Sequence, residues 1–159
     1  MRGKNRMEVG KVSCIIASYN TKDEFLIEAV KSILQQTYSN LELIVVDDGS
    51  DIPVKFVLKE IKDERLIVLE NKVNMGVTFS RNRALDRASG EFMAVMDADD
   101  VSDLTRFEKE VKYLNNHSEC DLVSTQMAFL AKDGRKNPSL SVPKNVDKFL
   151  TRLFWDNSK

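Results

Sequence analysis

Short apolar runs alternate with one-sided apolar patterns along the first hundred residues. The runs Val12–Ala17, Leu41–Val46, Leu66–Leu69 and Phe92–Met96 have the length and composition of buried strands. In the segments between them, apolar residues recur every three or four positions, as they do on one face of a helix. Strands that alternate with helices predict right-handed βαβ units and a mainly parallel central sheet, covered by helices on both faces.

The predicted helices have recognisable start and stop signals. Thr21 and Glu24 have the spacing of a capping box before the first helix. Pro53 suits the first turn of a short helix over residues 54–61. A third helix is predicted over residues 77–88, with Gly90 placed to end it. The next helix can be capped by Ser102 or Asp103.

The two ends of the chain differ from this alternating middle. Residues 1–10 are polar and basic, and we expect a flexible leader there, followed by one domain over residues 11–131. Residues 122–131 are typical of a longer strand. Residues 132–159 are predicted to contain a hairpin-type turn, a loop and an amphipathic helix, with apolar positions at Val146, Phe149, Leu150, Leu153, Phe154 and Trp155.

Composition limits the function classes. The 159 residues carry a formal net charge of -1, which removes any general electrostatic case for binding nucleic acid. No apolar run approaches the length of a membrane span, and the N-terminus lacks a secretory signal, so we expect a cytoplasmic protein. Cys14 and Cys120 do not have the spacing of metal ligands. The sequence has no G-x-S-x-G motif, so His117 has no candidate serine nucleophile to activate.

Three carboxylates follow the fourth predicted strand within four positions: Asp97, Asp99 and Asp100. They would repel one another unless a cation, a basic side chain or a helix N-terminus lay among them. Mg²⁺ commonly takes one or two carboxylates and completes its shell with substrate phosphates. The D-x-D pattern therefore suggests a metal that holds a phosphorylated ligand. The alternative is a solvated acidic loop that caps the next helix, and this is the commoner origin of an isolated D-x-D.

Polar residues also follow the other predicted strands, at Ser18–Asn20 and Asp47–Asp48. Ligands of open parallel sheets bind beyond the carboxyl ends of the strands, so these residues should converge with Asp97 and Asp99. Arg81, on the preceding helix, could offer a guanidinium to the same crevice. The glycine motifs of P-loop and dinucleotide-binding proteins are absent from the sequence.

Four ordered segments resemble family 2 of the inverting glycosyltransferases, which have the GT-A fold, a Rossmann-like three-layer α/β architecture. The segments are V-S-C-I-I-A-S-Y-N, N-L-E-L-I-V-V-D-D-G-S-D, N-M-G-V-T-F-S-R-N-R-A-L and A-S-G-E-F-M-A-V-M-D-A-D-D. The resemblance runs from about Val12 to at least Leu130 and includes one departure, Ala17 in place of a common proline.

This resemblance implies a donor site. In the site that the resemblance implies, Asp48 contacts the base of the nucleotide, usually uracil, and Arg81 lies near the base or the diphosphate. Asp97 faces the ribose, and Asp99 binds Mn²⁺ or Mg²⁺. The full set of donor-binding residues that it implies is Ala17, Ser18, Tyr19, Asp47, Asp48, Arg81, Asp97 and Ala98.

The resemblance also implies an activity: metal-dependent, inverting transfer from a nucleotide-sugar donor, by family habit a UDP-sugar, to a saccharide or lipid-linked acceptor in cell-surface polysaccharide synthesis. A location peripheral to the membrane is consistent with such an acceptor. The family's catalytic base belongs to a later, acceptor-binding segment, so we expect residues 1–159 to hold a truncated, donor-binding half with little transfer activity of its own. The apolar helix predicted near the end offers a surface for self-association.

Two other classes remain open. One is a non-catalytic nucleotide-diphosphate-binding module that acts with another chain. The other is a flavodoxin-like receiver, whose phosphoacceptor Asp, hydroxyl residue and Lys should follow separate later strands, whereas the third predicted strand here ends at Glu70–Asn71. A purely structural role would explain the helices but not the converging polar strand ends.

Overall fold

The computed structural model describes residues 7–130 and 136–138, in two compact units that meet between Lys112 and Tyr113. The first unit contains a four-stranded sheet in the order β3-β2-β1-β4. Its strands are β1 (Glu8–Ser18), β2 (Leu41–Asp47), β3 (Leu66–Glu70) and β4 (Gly90–Asp97). The helices are α1 (Asp23–Leu34), α2 (Val54–Val57), α3 (Val77–Arg87) and α4 (Arg106–Asn116), the last of which continues into the second unit.

All strand pairs of this sheet are parallel, and helices cover both faces. On one face, Cys14 and Leu43 belong to a large core that also contains residues of α1 and α4. On the other face, Ile15 and Ile44 pack with Ala84 of α3 in a smaller core. Neighbouring strand residues alternate between the two cores because successive side chains point to opposite faces. The predicted mainly parallel α/β sheet, flanked by helices, is confirmed.

The strand register brings three strand ends to one edge of the sheet. Ala17 of β1 lies opposite Val46 of β2 and Asp97 of β4. Ser18, the last residue of β1, lies opposite Asp47, the last residue of β2. The polar residues that follow these strands therefore emerge side by side.

Strand β1 begins earlier than the apolar run indicated. Glu8–Gly10 belong to the strand, although they fall in the range predicted to be a leader; residues 1–6 lie outside the described part. Gly10 has a φ of 73°, and the register between β1 and β4 shifts beside it. Its N–H donates to Glu91 Oε2 at 2.7 Å, and its carbonyl accepts from the Tyr38 hydroxyl. These contacts hold a polar strand end that periodicity cannot detect.

Two predicted helix starts differ from the observed ones. Helix α1 begins at Asp23 after an N-cap at Lys22 that makes no side-chain cap hydrogen bond, so the capping box at Thr21 is wrong. The Thr21 hydroxyl accepts a hydrogen bond from Ser18 Oγ at 3.0 Å instead. Helix α2 is a single turn, shorter than predicted, and Pro53 is its N-cap.

Gly90 has a different purpose from the predicted one. Helix α3 already ends at Arg87, and Gly90 opens β4. A Cβ at Gly90 would lie 2.6 Å from the carbonyl oxygen of Lys11 and 2.8 Å from the backbone nitrogen of Ser13. Glycine is required there because β1 and β4 approach closely, and not because a helix must stop.

The second unit has little regular structure among its described residues. The long strand predicted over residues 122–131 is wrong for residues 122–127, which form no element, and Leu122 is exposed. Strands β5 (Ala128–Leu130) and β6 (Lys136–Pro138) pair antiparallel. The predicted turn at 132–135 and the predicted amphipathic helix lie outside the described residues. Within the described residues, no helix is long and apolar enough to cross a membrane.

Candidate functional site

An open depression lies where β1 and β4 end and α1 begins. Five residues predicted for the donor or metal site line it: Ala17, Tyr19, Asp97, Ala98 and Asp99. Tyr19 exposes about half of its surface, so its ring is available to a ligand. The segment before α1 and the first turn of α1 add three residues that were not predicted: Thr21, Lys22 and Phe25. The ammonium of Lys22 lies 5.5 Å from the centre of the Phe25 ring. The only available signal for them was their position directly after β1.

Arg81 contacts Asp97, one of the residues that line the depression. Its Nη2 donates to Asp97 Oδ1 at 2.7 Å, across the gap between α3 and the end of β4. Both side chains are partly exposed, at 38% and 63%, so this ion pair alone contributes little stability. The remaining Nη donors fit an anionic oxygen, because arginine presents its N–H groups as a planar fork, whereas Nε is buried and has no hydrogen-bond partner among the described residues. The predicted approach of Arg81 to the crevice agrees with this geometry.

The carboxylates after β4 form a strongly negative segment. Partial burial, together with the negative charges of Asp97 and Asp99, raises the pKa of the Asp100 carboxyl. The described residues contain no group of three potential ligands arranged around a metal position. Carboxylate oxygens suit a hard divalent cation that takes few protein ligands and completes its shell with substrate phosphates, and the assignment of Asp99 to a metal stays a prediction.

Asp47 stabilises the loop that follows β2. Its carboxylate is buried and accepts hydrogen bonds from the backbone N–H groups of Ser50 and Val54, both at 2.9 Å. Val54 is the first residue of α2, so Asp47 satisfies a helix-terminal donor. Neither Asp47 nor the buried Ser18 lines the depression. Their assignment to the donor site stays a prediction.

Asp48 is also buried, at 3% exposure, and a loop of its own chain covers it. Oδ1 accepts from Asn71 Nδ2 at 2.7 Å and from Met75 N at 2.9 Å, and Oδ2 accepts from Gly76 N at 2.8 Å. Burial raises the pKa of the Asp48 carboxyl, but these hydrogen bonds and one from Ser80 outweigh it and lower the pKa overall. Asp48 is therefore ionised at neutral pH. Sequence reasoning did not foresee that the segment between β3 and α3 covers Asp48, although Asn71 directly follows β3.

Hydrogen bonds between backbone and side chains join the loops at this edge. The backbone N–H of Asp48 donates to Ser18 O at 2.8 Å, which links the ends of β1 and β2. Asn20 has a φ of 51°, and its side chain exchanges two hydrogen bonds with Asp51, at 2.9 and 3.1 Å. Asparagine tolerates this left-handed conformation better than most residues. The predicted convergence of the three strand ends is thus present, with Asp48 beneath the surface and Asp99 on it.

The open parallel sheet, with helices on both faces and acidic residues beyond the strand ends, has the Rossmann-like architecture of GT-A glycosyltransferases. The sequence model of the family described as Glycosyl transferase family 2 matches residues 13–158, and the chain belongs to this family. Its resemblance to that family and the GT-A fold are confirmed.

Three known proteins illustrate the similarity. WfaP of Escherichia coli, named UDP-Glc:alpha-D-GlcNAc-diphosphoundecaprenol beta-1,3-glucosyltransferase, is 38% identical over 103 residues, which cover 65% of this chain and 41% of WfaP. TarS from S. aureus, solved with UDP-GlcNAc, has a TM-score of 0.63 and 27% identity, with 68% of this chain and 32% of TarS covered. The mannosyltransferase PcManGT from Pyrobaculum calidifontis, solved with GDP-Man and Mn²⁺, has a TM-score of 0.58 and 28% identity, with 65% and 32% covered. The chain spans about half the length of the curated relatives it matches.

Proposed function

We propose that this chain binds a nucleotide-sugar, with UDP as the nucleotide, as the donor half of a metal-dependent, inverting glycosyltransferase. The observation that carries the proposal is that Tyr19, Asp97 and Asp99 line the same depression, with Arg81 hydrogen-bonded to Asp97. Similarity to TarS, solved with UDP-GlcNAc, and to WfaP, named for UDP-Glc, supports UDP.

Each residue has a distinct part in this proposal. The exposed Tyr19 ring offers a face on which the base stacks. The family resemblance assigns Asp48 a contact with the base, although its carboxylate here is buried and bonded to Asn71, Met75 and Gly76. Arg81 donates to the diphosphate or base. Asp97 faces the ribose, oriented by its pair with Arg81. Asp99 holds Mn²⁺ or Mg²⁺, and the ion supplies positive charge that stabilises the leaving diphosphate.

The acceptor in this proposal is a lipid-linked saccharide of a cell-surface polysaccharide pathway, since WfaP is named for a diphosphoundecaprenol acceptor. Such an acceptor fits a cytoplasmic protein peripheral to the membrane. Inverting transfer requires a base on the face opposite the leaving group, and we assign no such base among the described residues. The second candidate function is a nucleotide-diphosphate-binding module without turnover, favoured by the same depression.

Calorimetric titration of UDP in the presence of Mn²⁺, Mg²⁺ or EDTA tests the donor site. We expect binding with either ion, loss of binding in EDTA, and loss of binding for Asp99→Ala. Asp121→Ala, which removes an exposed carboxylate that does not line the depression, should bind like the unaltered chain. Binding that survives both EDTA and Asp99→Ala would contradict the metal assignment.

Two further titrations separate the alternatives. GDP, the nucleotide of the PcManGT complex, should bind more weakly than UDP, and the reverse order would change the proposed nucleotide. Release of UDP from UDP-Glc or UDP-GlcNAc, measured with a diphosphoundecaprenol-linked saccharide, reports turnover. Binding without release favours the module that lacks transfer activity.

A further inference from the structure

The side chain of Asn71 joins the ends of two strands to helix α3. Its amide nitrogen donates to Asp48 Oδ1 at 2.7 Å and to Ser80 Oγ at 2.9 Å. Its amide oxygen accepts from Arg83 Nη1 at 2.5 Å. The backbone N–H of the same residue donates to Asp47 O at 2.8 Å. Asn71 therefore has partners for both groups of its side chain and does not line the depression.

These contacts fix the rotation of α3 about its own axis. Ser80 and Arg83 lie three positions apart and so on the same side of the helix. Ser80 is fully buried, and Arg83 also donates to Glu70 O at 2.5 Å. Arg81, which adjoins Ser80, extends to Asp97. A turn of the helix that moves Ser80 away from Asn71 must also move Arg81 relative to Asp97, because the helix backbone is rigid over one turn.

The start of α3 depends on the same group of residues. Gly76, its N-cap residue, has a φ of 89° and donates its N–H to the Asp48 carboxylate. The neighbouring N–H of Met75 donates to the same carboxylate. Asn71 donates to the same buried carboxylate. Loss of the Asn71 side chain would therefore leave Asp48 with fewer hydrogen-bond donors, which a buried charge needs.

We propose that Asn71 is a positioning residue of the donor site, which holds α3 in the rotation that presents Arg81 beside Asp97 without touching the donor itself. This inference rests on the proposed function, in which Arg81 meets the donor. It assigns Asn71 an influence on nucleotide affinity that a residue of purely structural importance would not have.

A double-mutant cycle measured by calorimetry with UDP and Mn²⁺ tests the proposal. Asn71→Ala should weaken UDP binding about tenfold, the scale of one lost buried hydrogen bond. Asn115→Ala, which truncates an exposed asparagine of α4, should leave binding unchanged. In an Arg81→Ala background, Asn71→Ala should cost less than about twofold, because coupled residues are not additive. The same tenfold loss in both backgrounds, or no loss in either, overturns the proposal.

Amide hydrogen exchange on the same proteins separates this proposal from the proposed function. Asn71→Ala should speed exchange at Met75 and Gly76 by about tenfold or more, with Ile44 in the central strand unchanged. If exchange at Met75 and Gly76 becomes faster but the unaltered chain binds no UDP, Asn71 does position α3. The proposed function as a UDP-binding donor half would then be contradicted. Unchanged exchange overturns the positioning role. If Asn71→Ala does not fold, Ser80→Ala removes the acceptor of one Asn71 hydrogen bond and the hydrogen bond from Ser80 to Asp48, and it should reproduce both effects at about threefold.

Discussion

Glu42 carries a buried charge within the sheet. It lies near the start of β2, at the end of the sheet away from the depression. Its carboxylate is 5% exposed and accepts hydrogen bonds from Ser13 Oγ at 2.6 Å and from the backbone N–H of Ser89 at 2.7 Å. Lys11 Nζ lies 3.4 Å from its other oxygen. Burial raises the pKa of the Glu42 carboxyl, but the hydrogen bonds and the charge of Lys11 lower it overall. The folded chain therefore holds this group as an anion more strongly than the unfolded chain does.

Glu42→Gln should reduce the free energy of unfolding at pH 7 by about 1–3 kcal/mol, because the amide turns a donor group toward other donors. Since the folded pKa is below the unfolded value of about 4.3, the contribution is complete above that pH and disappears as the pH falls through the folded pKa. Urea unfolding from pH 7 downward should therefore show the difference shrinking below about pH 4. Glu28→Gln, at an exposed position of α1, provides the control. A difference that does not change with pH would contradict the role of the charge.

At the scale of elements, Gln36 ties the end of α1 to the segment that follows the acidic residues. Its amide nitrogen donates to the carbonyl oxygens of Ser32 at 3.0 Å and Asp103 at 2.7 Å, and its amide oxygen accepts from the Phe107 N–H at 3.0 Å. The side chain is buried. Because Phe107 lies in the first turn of α4, its N–H has no partner within the helix.

Gln36→Ala should lower the free energy of unfolding by about 1–3 kcal/mol, since it leaves the Phe107 N–H without its acceptor and removes one hydrogen bond to the Asp103 carbonyl, which still accepts from Arg106 N at 3.0 Å. Its neighbour Gln35 is exposed, so Gln35→Ala removes the same side chain at almost the same place and should change stability by less than about 0.5 kcal/mol. Urea unfolding of both variants checks this. Equal effects would show that truncation of a glutamine side chain after α1, and not the buried network, is responsible.

Elements and site residues were predictable to different extents. The sequence predicted β2, β3 and α3 to within one or two residues. Strand β2 is buried along its whole length, whereas α3 buries only Ser80 and Ala84. Apolar periodicity could not predict the strand start at Glu8, which depends on contacts of Gly10 with residues far along the chain, or the need for glycine at position 90. The position of Asp97 and Asp99 beside the end of β1 was predictable because parallel strands end together, and their part in a donor site stays a prediction. The covering of Asp48 by the loop after β3 was not predictable, since that loop carries no periodic signal.

At the scale of the whole molecule, one edge of the sheet lacks the usual protection from the residues that the structure describes. In the described part of the chain, β4 pairs with β1 alone, and its other edge carries unpaired backbone groups. Met93 and Val95 on β4 expose nearly half of their surfaces, on the face that also holds Ile15 and α3. Natural edge strands commonly carry lysine, proline or a bulge that prevents pairing with another chain. Along this strand, Glu91 and the terminal Asp97 are the only charged residues.

Val95→Lys should therefore reduce concentration-dependent self-association, because a charge on the exposed face of an edge strand opposes pairing with a second chain. Its effect on the free energy of unfolding should stay within about 0.5 kcal/mol, since the replaced side chain is half exposed. Sedimentation velocity over a range of protein concentrations measures the first quantity, and urea unfolding measures the second. Val9→Lys adds the same charge on β1, at a valine that is 87% exposed, and should leave association unchanged. If both variants reduce association equally, added charge and not the β4 edge explains the effect, and the apolar positions predicted at 146–155 become the surface to alter next.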